Sequence, residues 1–330
     1  MNFLYAKILN GFFEDCHSGR SEIRLDETKP LYIIELGSGQ GKFSFHFFNA
    51  IMQLDKKSAF PLKNIVYVMT DFTNSNFEAW QSHPSLKPFF ESGQLDAAIF
   101  NAVEDHSLTL HQSKVVLTAG SVSNPVVIVA NYLFDTLFHD FFHIENSVLQ
   151  EGLVSTGSTS DETSDPLNPD IIGRLDNRYH YSDITPNYYK EEEGDESYLE
   201  WMLTWYLDFF SEKGINGSVF VPLGALRALR RLTALSKQQS LVLSGDKGNA
   251  NLDSFRDLFD IDIAVHGSFS VMVNYHAISL WSASHGGISL LDPHESSDLL
   301  VNAFIMSAKG GSDPGILVPH CSDETCRSQR

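Results

Sequence analysis

The residues with the clearest chemical potential are Glu35-Leu36-Gly37-Ser38-Gly39-Gln40-Gly41-Lys42. The apolar run Leu31-Tyr32-Ile33-Ile34 precedes them, and a segment with helical character, Phe43-Ser44-Phe45-His46-Phe47-Phe48, follows. The order strand, glycine loop, helix lets a nucleotide-type ligand lie against backbone, since glycine has no side chain and a helix N-terminus offers unpaired N–H groups. A Walker A loop would need Gly where Leu36 stands and Ser or Thr where Phe43 stands. The dinucleotide fingerprint would need its third glycine at Lys42. What remains is an acidic residue, Glu35, two positions before the alternating glycines Gly37, Gly39 and Gly41.

The elements that must position this loop are apolar runs alternating with helical ones. The first strand is read at about 31–36 and its helix at about 41–54. Residues 65–71 read as a second strand ending at Asp71, and 75–91 as helical, interrupted near Pro84 and Pro88. A third strand is expected from Asp96 to Asn101, a helix around 108–118, and a fourth strand over 125–130 leading into Asn131. Such alternation predicts an α/β fold with a mostly parallel sheet and helices on both faces. Ligands on such sheets bind at the carboxyl ends of the strands, here Gly37–Gly41, Asp71, Asn101 and Asn131. Asp71 could accept both hydroxyls of a ribose or cap a helix. Asn101 could bond adenine or form a turn, while Asp96 reads as a turn residue at the strand entry.

Five regions are expected: a helical cover over 1–28, one half of the α/β domain over 29–150, an insertion or lid over 151–215, the other half over 216–300, and a loose tail over 301–330. Residues 151–196 are rich in Ser, Thr, Asp and Pro and end in the acidic run 191–196, which suggests a partly mobile loop. Helices are read over 197–213, with Trp201 and Trp205, and over 223–236, with Arg227, Arg230 and Arg231. A fifth strand is read over 240–244, a strand or strand–helix junction over 269–278, and a sheet-closing hairpin near 286–291.

The chain has 330 residues, 42% of them hydrophobic, and a formal net charge of -19. This composition forms a core and disfavours nucleic acid and anionic membranes as partners; a cationic acceptor on another protein would be tolerated. The three cysteines, Cys16, Cys321 and Cys326, give no disulfide framework, so a reducing, cytoplasmic setting is expected. His139-Asp140-Phe141-Phe142-His143 approaches an H-E-x-x-H zinc motif but carries Asp for Glu and reads as a packed segment. His320 with Cys321 and Cys326 is a faint metal hint, and no metal site is expected. A G-x-S-x-G nucleophile elbow is absent.

The glycine loop resembles the first motif of class I S-adenosylmethionine (SAM) methyltransferases. More narrowly, from about residue 30 to about 291 the chain resembles the MidA family, which includes mitochondrial complex I assembly methyltransferases. The resemblance rests on Glu35, Gly37, Gly39 and Gly41; on Asn131-Tyr132-Leu133-Phe134-Asp135-Thr136-Leu137-Phe138; on Ser244-Gly245-Asp246-Lys247-Gly248; and, loosely, on 267–274. It implies a Rossmann-like fold with a seven-stranded, mostly parallel sheet and an inserted lid. It further implies SAM as cofactor, held by Glu35, Gly37, Ser38, Gly39, Gly41, Asp71 and Asn101. Asn131 and Asp135 would border the pocket of a methyl acceptor, a protein side chain with arginine as the leading candidate. Tyr132 stands where the family has Glu. That departure supports an alternative: an inactive methyltransferase fold serving assembly. A small-molecule acceptor and a nicotinamide-dependent oxidoreductase are lesser alternatives, the last disfavoured by Lys42.

Overall fold

The computed structural model describes residues 2–55, 64–161, 165, 167–190, 196–260, 263–265, 269–292 and 299–307. Its first half contains helix α1 (Asn2–Ser18), strand β1 (Leu31–Leu36), α2 (Lys42–Asp55), β2 (Ile65–Asp71), α3 (Asn74–Ser82), α4 (Lys87–Glu91), β3 (Leu95–Ile99), β4 (Val126–Asn131), β5 (Asp140–Glu145) and β6 (Val148–Ser158). Then come β7 (Leu175–Asp183), α5 (Glu196–Lys213), β8 (Gly217–Val221), α6 (Leu223–Ala234), β9 (Ser240–Asn249), α7 (Tyr275–Ser284), β10 (Ile288–Leu290) and β11 (Leu299–Met306).

The main sheet runs β10-β11-β9-β4-β1-β2-β3, with Val273–Asn274 pairing to the end of β9. The pairs among β9, β4, β1, β2 and β3 are parallel, and β11 is antiparallel to both of its neighbours. This is the expected Rossmann-like α/β architecture. Every residue of β1 is buried, so its side chains alternate between two cores, as the strand period of two demands. Ile33 joins a core with α1, α2 and Trp80, while Ile34 joins one built from α5, α6 and α7. Fully burying each such side chain contributes about 1.5–3 kcal/mol. The helical cover expected at the N-terminus is α1, whose Tyr5 packs edge-on against Phe43 and Phe47 of α2.

A second, antiparallel sheet runs β8-β5-β6-β7, and it corrects several expectations. The insertion read as a loop forms a long hairpin in which Gln150–Ser158 pair with Asp183–Leu175. Its outer strands carry polar residues on both faces, so no apolar alternation announces them. The boundary expected at 150/151 therefore cuts β6. Helix α5 is no lid: Leu199, Met202, Leu203, Tyr206 and Phe210 are buried in the main core. The boundary at 300/301 cuts β11, so residues 299–306 belong to the sheet, not to a tail. Cys321, Cys326 and His320 lie outside the described residues, as does most of the acidic run 191–196.

The helix expected around 108–118 is instead a small hairpin, Leu108–Thr109 with Val116–Leu117. Asp96 explains the change, because its buried carboxylate accepts from Gln112 N at 2.7 Å and Ser113 N at 3.0 Å. Those N–H groups are thereby withdrawn from a helical ladder. The third strand ends at Ile99, two residues before Asn101. The fifth, read over 240–244, continues through Asp246 to Asn249.

Candidate functional site

The turn from β1 into α2 is built on backbone that only glycine adopts readily: φ is +63° at Gly37, +51° at Gly39 and +77° at Gly41. The neighbours reinforce the requirement at Gly41, where an added Cβ would lie 2.8 Å from Met69 Cε and 3.4 Å from Trp80 Cδ1. The loop is held from beneath. Ser38 N donates to Thr70 O at 2.8 Å, and the Trp80 indole N–H donates to Gly39 O at 2.8 Å. Gly39 N in turn donates to Asp71 Oδ2 at 3.1 Å.

This turn, the end of β2 and the segment after β3 enclose a cavity of about 480 Å³ whose wall includes Gly37, Asp71, Phe72, Asn101 and Leu133. The volume suits a nucleoside-sized ligand. Phe72 is 75% exposed at this wall, an aromatic face available for stacking. Gly37, Asp71 and Asn101 thus come together as the sequence implied, although their polar atoms are already engaged. Asp71 accepts from Gly39, Thr73 and Asn76. Asn101 Oδ1 accepts from Val103 N at 3.0 Å, and its amide donates to Glu104 at 3.0 Å.

Glu35 is the clear departure. Its carboxylate is turned beneath the loop and buried, accepting from Tyr67 OH at 2.8 Å and from Ser44 Oγ. Burial raises its pKa, and these donors oppose the rise. Glu35, expected among the residues that hold the cofactor, therefore supports the turn from below, its carboxylate engaged by the protein's own donors. Ser38 lies close enough to Glu35 to help hold its carboxylate charged, whereas Asn131 Nδ2 is buried without a hydrogen-bond partner. Such an orphan costs about 1–3 kcal/mol unless something fills it.

Residues 134–136 form a short helical turn after β4, and beyond it lies a second cavity of about 480 Å³ against the antiparallel sheet. Thr136 and Leu137 line both cavities. The second is bounded by Asp135, His139, Asp140 and Glu151 together with the rings of Phe141, Tyr188, Phe220 and Phe269. Its charged lining residues are all acidic. His139 donates no charge at neutral pH, because burial pushes its pKa down to about 4. Its Nε2 lies 2.9 Å from Phe134 O and must carry the proton there. That leaves Nδ1, which has no partner, as an acceptor, and Asp135 Oδ1 is likewise buried and unpartnered.

Asp246, on β9, fastens the turn between the cavities. Its Oδ2 accepts from Leu133 N at 3.0 Å and Asp135 N at 3.2 Å, and its Oδ1 from Lys247 N at 2.9 Å. Burial, then the neighbouring charge of Asp135, pushes its pKa up to about 7. Asp135 is itself raised by burial, with Lys247 pulling it down. Asn131 departs from expectation in one respect: its carbonyl is occupied, accepting from Tyr5 OH of α1 at 2.9 Å. Tyr132 takes a left-handed conformation, φ +50°, and is 59% exposed.

Asp246 had entered the sequence argument only within a motif. Nothing local marks Tyr5, Glu151 or Tyr188, and Asp140 stands out in the sequence only as the Asp of the zinc-like segment. The metal-like pair resolves as strand: His143 lies on β5, with Nδ1 2.7 Å from Ser218 Oγ. Among the described residues no group of three or more His, Cys, Asp or Glu could hold a metal ion. Among them, too, no helix is long and apolar enough to cross a membrane.

No family model matches the chain, and no curated protein does. Solved structures do. An uncharacterized protein of the COG1565 superfamily from Burkholderia thailandensis is 12% identical, with a TM-score of 0.52 over 95% of this chain and 81% of that one. Another member of that superfamily from the same organism, taken to be a methyl transferase and bound to S-adenosyl-homocysteine, is 12% identical, with a TM-score of 0.51 over 94% of this chain and 78% of that one. At this identity the likeness establishes a shared Rossmann-like fold across nearly the whole chain.

Proposed function

We propose that the chain is a SAM-dependent methyltransferase whose acceptor is a cationic side chain of another protein, arginine foremost. The observation that carries the reading is the pairing of two cavities across one turn, the first bordered by Gly37 of the glycine loop and by Asp71 and Asn101, the second lined by acids and rings. The MidA-like motifs and the S-adenosyl-homocysteine in a structure of the same fold support the choice of cofactor. The residues present fit it. Gly37 brings backbone to the cavity wall, Phe72 offers a face to adenine, and Asp71 lies where a ribose would reach it. Asn131, at the end of β4, keeps an unpartnered amide donor that suits an amino-acid end.

When bound, SAM supplies a methyl group on a sulfonium centre. The protein's part is mostly positioning, since an aligned approach accounts for much of the barrier in such displacements. Asp135 and His139 line the second cavity, and their unpartnered Oδ1 and Nδ1 lie beneath its surface. Both suit a donor-rich cation, as do the acidic and aromatic walls. Asp135 orients the acceptor and takes up the proton it loses. Asp246 fixes Asp135 by binding its backbone N–H.

A second reading, a methyltransferase fold serving assembly without turnover, is favoured by one observation: Asp71 and Asn101 already spend their hydrogen bonds within the protein. Incubation with SAM labelled in its methyl group separates the two. Label passing to arginine-containing peptides, and not to peptides lacking arginine and lysine, is the expected result. Cofactor binding with no label on any peptide or small amine would replace this proposal with the assembly reading.

A further inference from the structure

Asp71 presents an arrangement that bears on cofactor affinity, and the following rests on the SAM reading above. A carboxylate offers about four acceptor positions, and all are filled here. Oδ1 accepts from Thr73 N at 2.9 Å and from Thr73 Oγ1 at 2.8 Å. Oδ2 accepts from Gly39 N at 3.1 Å and from Asn76 Nδ2 at 2.9 Å. A ribose that pairs with this carboxylate must therefore displace a donor already in place.

The four donors are not equally replaceable. The N–H groups of Gly39 and Thr73 belong to the backbone of the glycine loop and of the approach to α3. The Gly39 peptide is gripped twice, by Asp71 at its nitrogen and by Trp80 at its oxygen. The Thr73 hydroxyl shares Oδ1 with the N–H of its own residue, whereas Asn76 offers a partly buried side-chain amide from the first turn of α3 to Oδ2. Rotation of the Asn76 side chain frees an Oδ2 position and leaves the loop's two anchors intact.

The geometry points to Asn76 as the residue that sets cofactor affinity: its amide occupies, in competition with a ribose hydroxyl, a position on Asp71 that the cofactor needs. Asn76 is thus an affinity-setting residue that acts through Asp71. Its amide serves as a stand-in that keeps the buried carboxylate satisfied when no nucleoside is bound, since an unsatisfied buried acceptor would be costly. Binding becomes an exchange of one hydrogen bond for another, with a correspondingly modest gain.

The test is calorimetric titration of S-adenosyl-homocysteine into the wild-type chain and into Asn76→Ala, with 2′,3′-dideoxyadenosine and adenosine as a second ligand pair. Removing the competing amide should tighten S-adenosyl-homocysteine and adenosine on the order of tenfold, the scale of one hydrogen bond to a charged group. The dideoxy ligand should show no such gain. Asn76→Ser, too short to keep the contact, carries the same expectation should the alanine variant lose its fold. Equal or weaker binding of S-adenosyl-homocysteine by both variants, with clear binding by the wild type, would overturn the role of Asn76 and leave the cofactor reading standing. A gain of the same size for the dideoxy ligand would also overturn it. No binding by any of the proteins at millimolar ligand would sink the cofactor reading and this inference together.

Discussion

The two cavities on either side of residues 134–136 have the same volume and share Thr136 and Leu137, yet they are prepared for ligands in different ways. On the glycine-loop side the shape is set by backbone: three left-handed glycines, and strand ends fixed by the parallel pairing of β1, β2 and β4. The conspicuous carboxylates there, Glu35 and Asp71, bond to the protein's own donors. On the hairpin side the chemistry lies in side chains from an antiparallel sheet, and acceptors at Asp135 and His139 are left without partners. The contrast teaches that one cavity is specified by conformation and the other by composition, so each should fail separately.

The largest effect should come from breaking the conformational side. Gly41→Val would place a branched side chain at φ +77° against Met69 and Trp80. Left-handed backbone and overpacking together should cost roughly 2–5 kcal/mol. Thermal unfolding should show a clear fall in Tm, and S-adenosyl-homocysteine binding should be lost. A variant with wild-type Tm and affinity would refute the packing described here.

The compositional side can be broken alone. At Gly152 an added Cβ would sit 2.0 Å from Phe141 Cδ1, and Phe141 lines the second cavity. Gly152→Ala should drive that ring toward Phe220 and the cavity, at about 1–3 kcal/mol. Methyl transfer to peptide should fall, with KM rising, while the calorimetric affinity for S-adenosyl-homocysteine stays at the wild-type value. Loss of cofactor affinity in this variant would show that the cavities are not separable.

A smaller and subtler effect concerns Asp246 at the partition. Its folded-state pKa lies well above that of an exposed carboxylate, so the folded chain binds this proton more tightly than the unfolded one. Its contribution to stability is greatest below about pH 4 and is lost as pH rises toward about 7, with a slope of at most about 1.4 kcal/mol per pH unit. Asn can still accept the N–H groups of Leu133 and Asp135, so Asp246→Asn should fold. Its Tm should decline less than that of the wild type between those pH values. Parallel pH profiles for the two proteins would contradict the raised pKa of Asp246.

The same contrast explains what the sequence disclosed. β1, β2 and β4 were legible because parallel strands buried on both faces read as unbroken apolar runs, and the glycine loop because its conformation requires that residue type. The β6–β7 hairpin was illegible because its pairing is satisfied by backbone while its side chains are largely polar. The small hairpin at 108–117 was misread as helix because the deciding interaction, Asp96 with Gln112 and Ser113, joins residues far apart in the chain. Distance in sequence also hid Tyr5, whose hydroxyl reaches Asn131. Glu35 stands out in the sequence by its spacing to the glycines, but spacing alone does not say which way a carboxylate turns, and Ser44 and Tyr67 turn it inward.

A crystal structure of the chain soaked with S-adenosyl-homocysteine tests the central claim most directly. The account predicts the adenosine between Phe72 and Leu133, its ribose on Asp71 with the Asn76 amide rotated away, and the amino-acid end toward Asn131. Density for the ligand elsewhere, or a glycine-loop cavity that stays free of it at saturating concentration, would contradict the account.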